Sequence, residues 1–118
     1  MAIYHHGPES LDAVFTALGH PTRRAILTRL AKGEADVHEL SVPFGLSQPT
    51  ISRHLKVLET AGLIEATREA QRRPRRLRLS TMKGAADWIE PFRKLWERRL
   101  DNLDRHLASR KHARGETR

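Results

Sequence analysis

The sequence predicts a mainly α-helical domain carrying one small β-hairpin. Apolar residues recur with a helical period in several separate stretches. Between residues 63 and 79 the period changes to alternation, and glycine, serine, aspartate and proline stand at the joints. At 118 residues the chain is one domain's worth of material on the usual scale of about 100 to 200 residues. Hydrophobic residues make up 38% and charged residues 31%, which is too apolar for a disordered polymer and too polar for a membrane protein. No apolar run approaches the roughly 18 residues of a spanning helix, and residues 1–10 lack the apolar core of a secretion signal, so a cytoplasmic location is expected. Cys 0 removes disulfides, thiolate metal sites, iron–sulfur clusters and thiol redox chemistry together.

Ser10 is placed to cap a first helix, in which Leu11, Val14, Phe15 and Leu18 recur as one stripe before Gly19 ends it. Pro21 suits the first turn of a second helix with Ile26, Leu27 and Leu30 inward and Gly33 as its stop. Asp36 followed by Glu39 has the form of a capping box. It opens a third helix with Val37, Leu40 and Phe44 inward, which Pro43 limits to about two turns. After Gly45, Ser47 caps a longer fourth helix with Ile51, Leu55 and Leu58 on one side and Gly62 at its end. Ile64, Ala66, Leu77 and Leu79 then alternate with charged residues around a basic tip at residues 70–74, the pattern of a two-stranded hairpin. From Lys83 the helical period returns, with Trp88, Ile89, Phe92, Leu95, Trp96, Leu100, Leu103 and Leu107 on one stripe. Pro91 is expected to kink or break this helix near Glu90. The organisation expected is an arm at residues 1–9, one domain at 10–108 and an unstructured basic tail at 109–118.

Helix, helix, short helix, turn, helix, basic hairpin and terminal helix is the order of a winged helix-turn-helix. VHELSVPFGLSQPTISRHLKVLETAGL at residues 37–63, with HPTRRAIL before it and an arginine-rich hairpin after it, resembles the ArsR-like (ArsR/SmtB-type) bacterial transcriptional regulators. The ending DWIEPFRKLWERRLDNLDRHL is similar to the branch of that family without recognised metal ligands. The resemblance implies a homodimer that binds a pseudo-palindromic operator in double-stranded DNA as a repressor, often of its own gene.

Charge and patterning agree with a polyanion partner. The net charge is +8, with 17 Arg against 5 Lys; residues 1–62 are neutral in sum, whereas residues 63–82 hold 6 basic and 2 acidic side chains. In the fourth helix, the recognition helix of the implied fold, Ser47, Gln48, Thr50, Ser52, Arg53 and Lys56 face away from the apolar side, with His54 at the margin. In the hairpin, Arg72, Arg73, Arg75 and Arg76 around Pro74 are the candidates for phosphate or a narrow minor groove. Thr22 and Arg23, at the start of the second helix, are candidate phosphate anchors. Leu11, Phe15, Trp96, Leu100, Leu103 and Leu107 are the candidate dimer contacts, because a two-fold operator needs paired protomers.

No cofactor, metal or small-molecule effector is expected, and no membrane. Relatives that sense metal place two cysteines in the third helix, where this chain has Asp36 and His38; Asp36 already serves as a cap, and His38 alone is a poor site. His106 and His112 lie six residues apart, on different faces of a helix, and His5 and His6 fall in the arm. A metal-responsive repressor is therefore the first alternative. The second is a protein-docking winged helix that uses Trp88, Phe92, Trp96 and Leu100. No enzyme signature such as G-x-S-x-G or H-E-x-x-H occurs, so catalysis is not expected.

Overall fold

The computed structural model describes the backbone of residues 10–67 and 71–116, with side chains as far as residue 111. Its elements run α1 (Leu11–Leu18), α2 (Pro21–Leu30), α3 (Val37–Phe44), α4 (Gln48–Thr60), β1 (Ile64–Ala66), β2 (Arg75–Leu77) and α5 (Leu79–Glu116). The chain divides into two compact units, Met1–Ala85 and Ala86–Arg118. The expected arm at residues 1–9, with His5 and His6, lies outside the described residues, as do Arg68, Ala70 and the side chain of His112.

The first four helices begin on side-chain caps that satisfy N–H groups left open at a helix start. Ser10 accepts from the Ala13 amide at 3.2 Å, and Ser47 from the Thr50 amide at 3.3 Å. Asp36 and Glu39 form the reciprocal box: the Glu39 amide donates to Asp36 Oδ1 at 2.8 Å and the Asp36 amide to Glu39 Oε1 at 3.2 Å. The cap of α2 is His20, whose Nδ1 accepts from the Thr22 amide at 3.1 Å. Gly45 closes α3 in the left-handed region at φ 63°, where a side chain at Cβ would be strained.

These helices bury Val14, Ile26, Leu27, Leu30, Leu40, Ile51, Leu55 and Leu58 together with Leu63 and Ile64. α4 packs on α1, α2, α3 and β1, so the helix expected to read DNA is also the central strut of the first unit. On α1 the stripe is turned from the expected one. Val14 and Ala17 are buried, Phe15 and Leu18 partly so, and Leu11 is 38% exposed. Eight residues make barely two turns, and the small Ala17 allows the close approach that sets the helix's rotation.

The hairpin pairs Ile64 with Leu77, Glu65 with Arg76 and Ala66 with Arg75, antiparallel. The free edge of β2 is partly covered by Ala35, which exchanges both backbone hydrogen bonds with Arg75 at 2.8 and 3.2 Å. Leu79 does not continue the strand. The Arg78 amide still donates to the Leu63 carbonyl at 2.9 Å, but the Thr81 amide then closes a turn on Arg78, and Leu79 opens α5 at 70% exposure.

The last helix is one continuous element. α5 is not broken near Glu90, and Pro91 lies inside it. Proline holds φ close to the helical value; its cost is one missing N–H and crowding of the preceding turn, which a helix can absorb. Arg93 also straddles that point, pairing with Glu90 and Glu97 at 2.6 Å each. The pairing lowers the Glu90 pKa and raises that of Arg93. From Ser109 the chain, expected to lack structure, is helical to Glu116. Its lysine, arginine and alanine residues are good helix formers, and propensity extends the helix where periodicity supplies no signal. Among the described residues no helix is long and apolar enough to cross a membrane.

Candidate nucleic-acid interface

α3, the turn at residues 45–47 and α4 form the helix-turn-helix, tightened by the Leu46 amide donating to the Ser41 carbonyl at 3.3 Å. Because Ile51, Leu55 and Leu58 are wholly buried, the 3.6-residue period turns the opposite face of α4 outward. Gln48, Ser52, Arg53 and Lys56 are exposed there, while Thr50 and His54 are half-buried at its two margins.

Hydrogen bonds order the first turn of that face. The Ser47 hydroxyl donates to Thr50 Oγ1 at 2.9 Å, and Arg53 Nη2 donates to the same oxygen at 3.4 Å. Gln48 Nε2 lies 3.4 Å from His38 Nδ1, which ties α4 to α3. Arg53 and Gln48 can each present two hydrogen-bonding atoms to a base edge, and they stand on the exposed first turns where a major-groove helix does its reading.

The four wing arginines separate into two pairs. Arg72 and Arg73 are exposed at the tip, where Arg73 takes a positive φ of 43°, and among the described residues no ion pair engages either. Arg75 is turned inward. Its Nε donates to Glu59 of α4 at 2.9 Å and its Nη1 to the Arg73 carbonyl at 2.9 Å, leaving the side chain 15% exposed. Arg76 pairs across the hairpin with Glu65 at 2.8 Å and stays over half exposed. The strand alternation expected for a hairpin thus divides the roles of these residues.

Arg23 is committed within the fold, donating to the Ala17 and Thr16 carbonyls at 2.6 and 3.1 Å and facing His54 of α4. The Thr22 amide is used by His20. Two residues that sequence reasoning missed, His20 and Glu59, therefore hold the site together. His20 was legible as the residue before a helix-opening proline, but the partner of Glu59 is 16 residues away with no local pattern to reveal it.

Asp36 is buried in its capping box, and His38 is exposed beside Gln48. Among the described residues no group of three or more His, Cys, Asp or Glu is arranged to hold a metal ion. Within the second unit Trp88, Phe92, Trp96, Leu100, Leu103 and Leu107 are all exposed, and the Trp88 and Phe92 rings meet at 5.0 Å.

A helix-turn-helix followed at once by a two-stranded basic hairpin defines the winged-helix class. Residues 20–66 match the model of the bacterial regulatory protein arsR family. The chain is 32% identical over 82 residues to the transcriptional repressor SdpR of Bacillus subtilis, covering 70% of this chain and 91% of that protein. It is 49% identical over 55 residues to the HTH-type transcriptional regulator Rv2034 of Mycobacterium tuberculosis, covering 47% of this chain and spanning about half (51%) of that relative. Among solved structures it is similar to an ArsR-like transcriptional regulator from Rhodococcus sp. RHA1, with TM-score 0.66 and 28% identity over 84% of this chain and 91% of that one. It is also similar to a homodimeric winged helix-turn-helix DNA-binding domain from Mycobacterium bovis, with TM-score 0.57 and 29% identity over 74% and 78%. The chain belongs to the arsR family.

Proposed function

We propose that this chain is a homodimeric repressor that occupies a two-fold operator, with α4 reading bases in the major groove and the wing tip holding the backbone. The observation that carries this reading is the division of α4 into a buried apolar face and an exposed face bearing Gln48, Ser52, Arg53 and Lys56, together with the exposure of Arg72 and Arg73 in the wing. Side chains that reach base edges supply sequence preference, and those that reach phosphate supply register and most of the salt-dependent affinity. Arg75 and Arg76, paired with Glu59 and Glu65, shape the wing. Arg23 braces the helices, and Thr22 stays beside it as a candidate anchor.

The name of the Bacillus relative as a repressor and the homodimeric state of the Mycobacterium bovis domain support carrying both properties to this chain. The exposed Leu11 and the stripe Trp96, Leu100, Leu103 and Leu107, with Phe15 beside Leu11 on α1, are assigned to pairing with a second copy, which sets two α4 helices about one DNA turn apart. No metal takes part in this reading. The test is footprinting on the DNA flanking the chain's own gene. Protection of a pseudo-palindromic site, with half-sites 10 to 10.5 base pairs apart or a multiple of that, is expected. Equal affinity for that DNA and for scrambled duplex would overturn the assignment.

A further inference from the structure

Arg23 joins three helices. Its Nε and Nη2 donate to the Ala17 and Thr16 carbonyls in the last turn of α1 at 2.6 and 3.1 Å, the second of which also accepts from the Gly19 amide, and a cation there suits the helix dipole. Its Nη1 lies 3.4 Å from Nδ1 of His54 on α4. An arginine N–H can only donate, so this contact is a hydrogen bond in the neutral ring that carries its hydrogen on Nε2 and leaves Nδ1 bare. The His20 ring lies 4.5 Å from the His54 ring at 49°, and its own Nδ1 is also an acceptor, taking the Thr22 amide.

The groups facing His54 are His20 and Arg23 at the start of α2 and Arg53 on α4 itself, while α1 contributes through the carbonyls that Arg23 holds. Among the described residues none of the groups acting on His54 is a carboxylate that would compensate a second positive charge. Burial first, and then these neighbours, hold the His54 pKa below its ordinary value of 6.5.

We propose that Arg23 is a positioning residue for α4, and that its contact with the bare Nδ1 of His54 makes the seating of the reading helix proton-sensitive. Proton uptake removes the acceptor and sets an imidazolium against a guanidinium. The inference rests on the reading of α4 as the DNA-reading helix and adds a mode of regulation to it. The sign follows from linkage: a base with a lowered folded pKa is still neutral in the folded chain when the unfolded chain has already taken up its proton. The contact is therefore intact in the folded chain down to the folded midpoint of His54, which lies below 6.5, and is lost as pH falls through that midpoint. Loss of seating removes preference among sequences, while general attraction to phosphate persists.

Two measurements on the full chain test this. The first is an NMR titration of the His54 ring without DNA, in the wild type and in Arg23→Gln. A midpoint below 6.5 that rises in the variant is expected; a midpoint at or above 6.5, or one unmoved by the variant, overturns the clamp. The second compares duplex from the DNA flanking the chain's own gene with scrambled duplex at pH 7.5 and 5.5, at fixed salt. The wild-type preference should fall at the lower pH, by less than about tenfold because the folded midpoint lies below 6.5. In His54→Gln, whose amide oxygen accepts from Arg23 at either pH, the preference should not change with pH, whatever its absolute value. A pH-independent preference in the wild type, or an equal loss in His54→Gln, refutes the proposal. If the wild type prefers neither duplex at any pH, the DNA-reading assignment fails instead, and the titration alone decides the clamp.

Discussion

At the scale of single residues, the polar side chains of the candidate interface should fail in three different ways. Arg53→Ala and Gln48→Ala remove groups placed to touch base edges, and each should lose on the order of 1 to 3 kcal/mol of operator binding and relax preference at particular base pairs. Binding-site selection with each variant checks this. Arg72→Ala with Arg73→Ala should weaken operator and scrambled duplex alike. In a dimer this removes up to four phosphate contacts, so the slope of log affinity against log salt should flatten by up to about 3.6. Arg75→Ala should leave that slope unchanged. Because Arg75 is largely covered and tied to Glu59, the change should lower folding stability by about 1 to 2 kcal/mol in a denaturant titration. The basic character of the wing was legible from composition. Which arginine points where was not, because Glu59 is distant in sequence and the alternation of a three-residue strand is too short to set an orientation.

At the scale of elements, caps and periodicities carried most of the information. Ser10, Asp36 with Glu39, and Ser47 all cap the helices expected of them, since capping is a contact between residues three apart and is written locally. Asp36→Ala takes away the acceptor of the Glu39 amide in a buried box and should destabilise the chain by about 1 kcal/mol, up to 2, read as a shifted urea midpoint with unchanged slope. Where tertiary contacts decide, the sequence was less legible. Leu79 matched a strand period but opens α5, and the backbone bridge from Ala35 to Arg75 leaves no trace in side-chain pattern. Pro91 costs α5 one N–H and some crowding, yet the helix continues through it, with Arg93 paired to Glu90 before it and to Glu97 after it.

At the scale of the whole molecule, the proposed two-fold operator calls for two recognition helices, and pairing two chains supplies them at a fixed spacing. The second unit is one helix segment with an exposed stripe of large apolar residues. Soluble monomers rarely leave a contiguous apolar patch of that kind in water, and burying a leucine or tryptophan contributes about 1.5 to 3 kcal/mol. Light scattering should therefore give about twice the chain mass of 13.5 kDa. Leu100→Asp or Trp96→Asp places a carboxylate in the stripe and should shift the mass to that of one chain at micromolar concentration. The control is Arg98→Gln, on the opposite side of the same helix, which should leave the mass unchanged. Splitting the dimer should also cost operator affinity about 10²-fold or more, because the second half-site then binds from bulk solution rather than at the effective concentration that a linked protomer provides. A stripe variant that keeps the double mass would show that pairing lies elsewhere. One that becomes a single chain and still binds the operator as tightly would show that each winged helix reads its site without a partner.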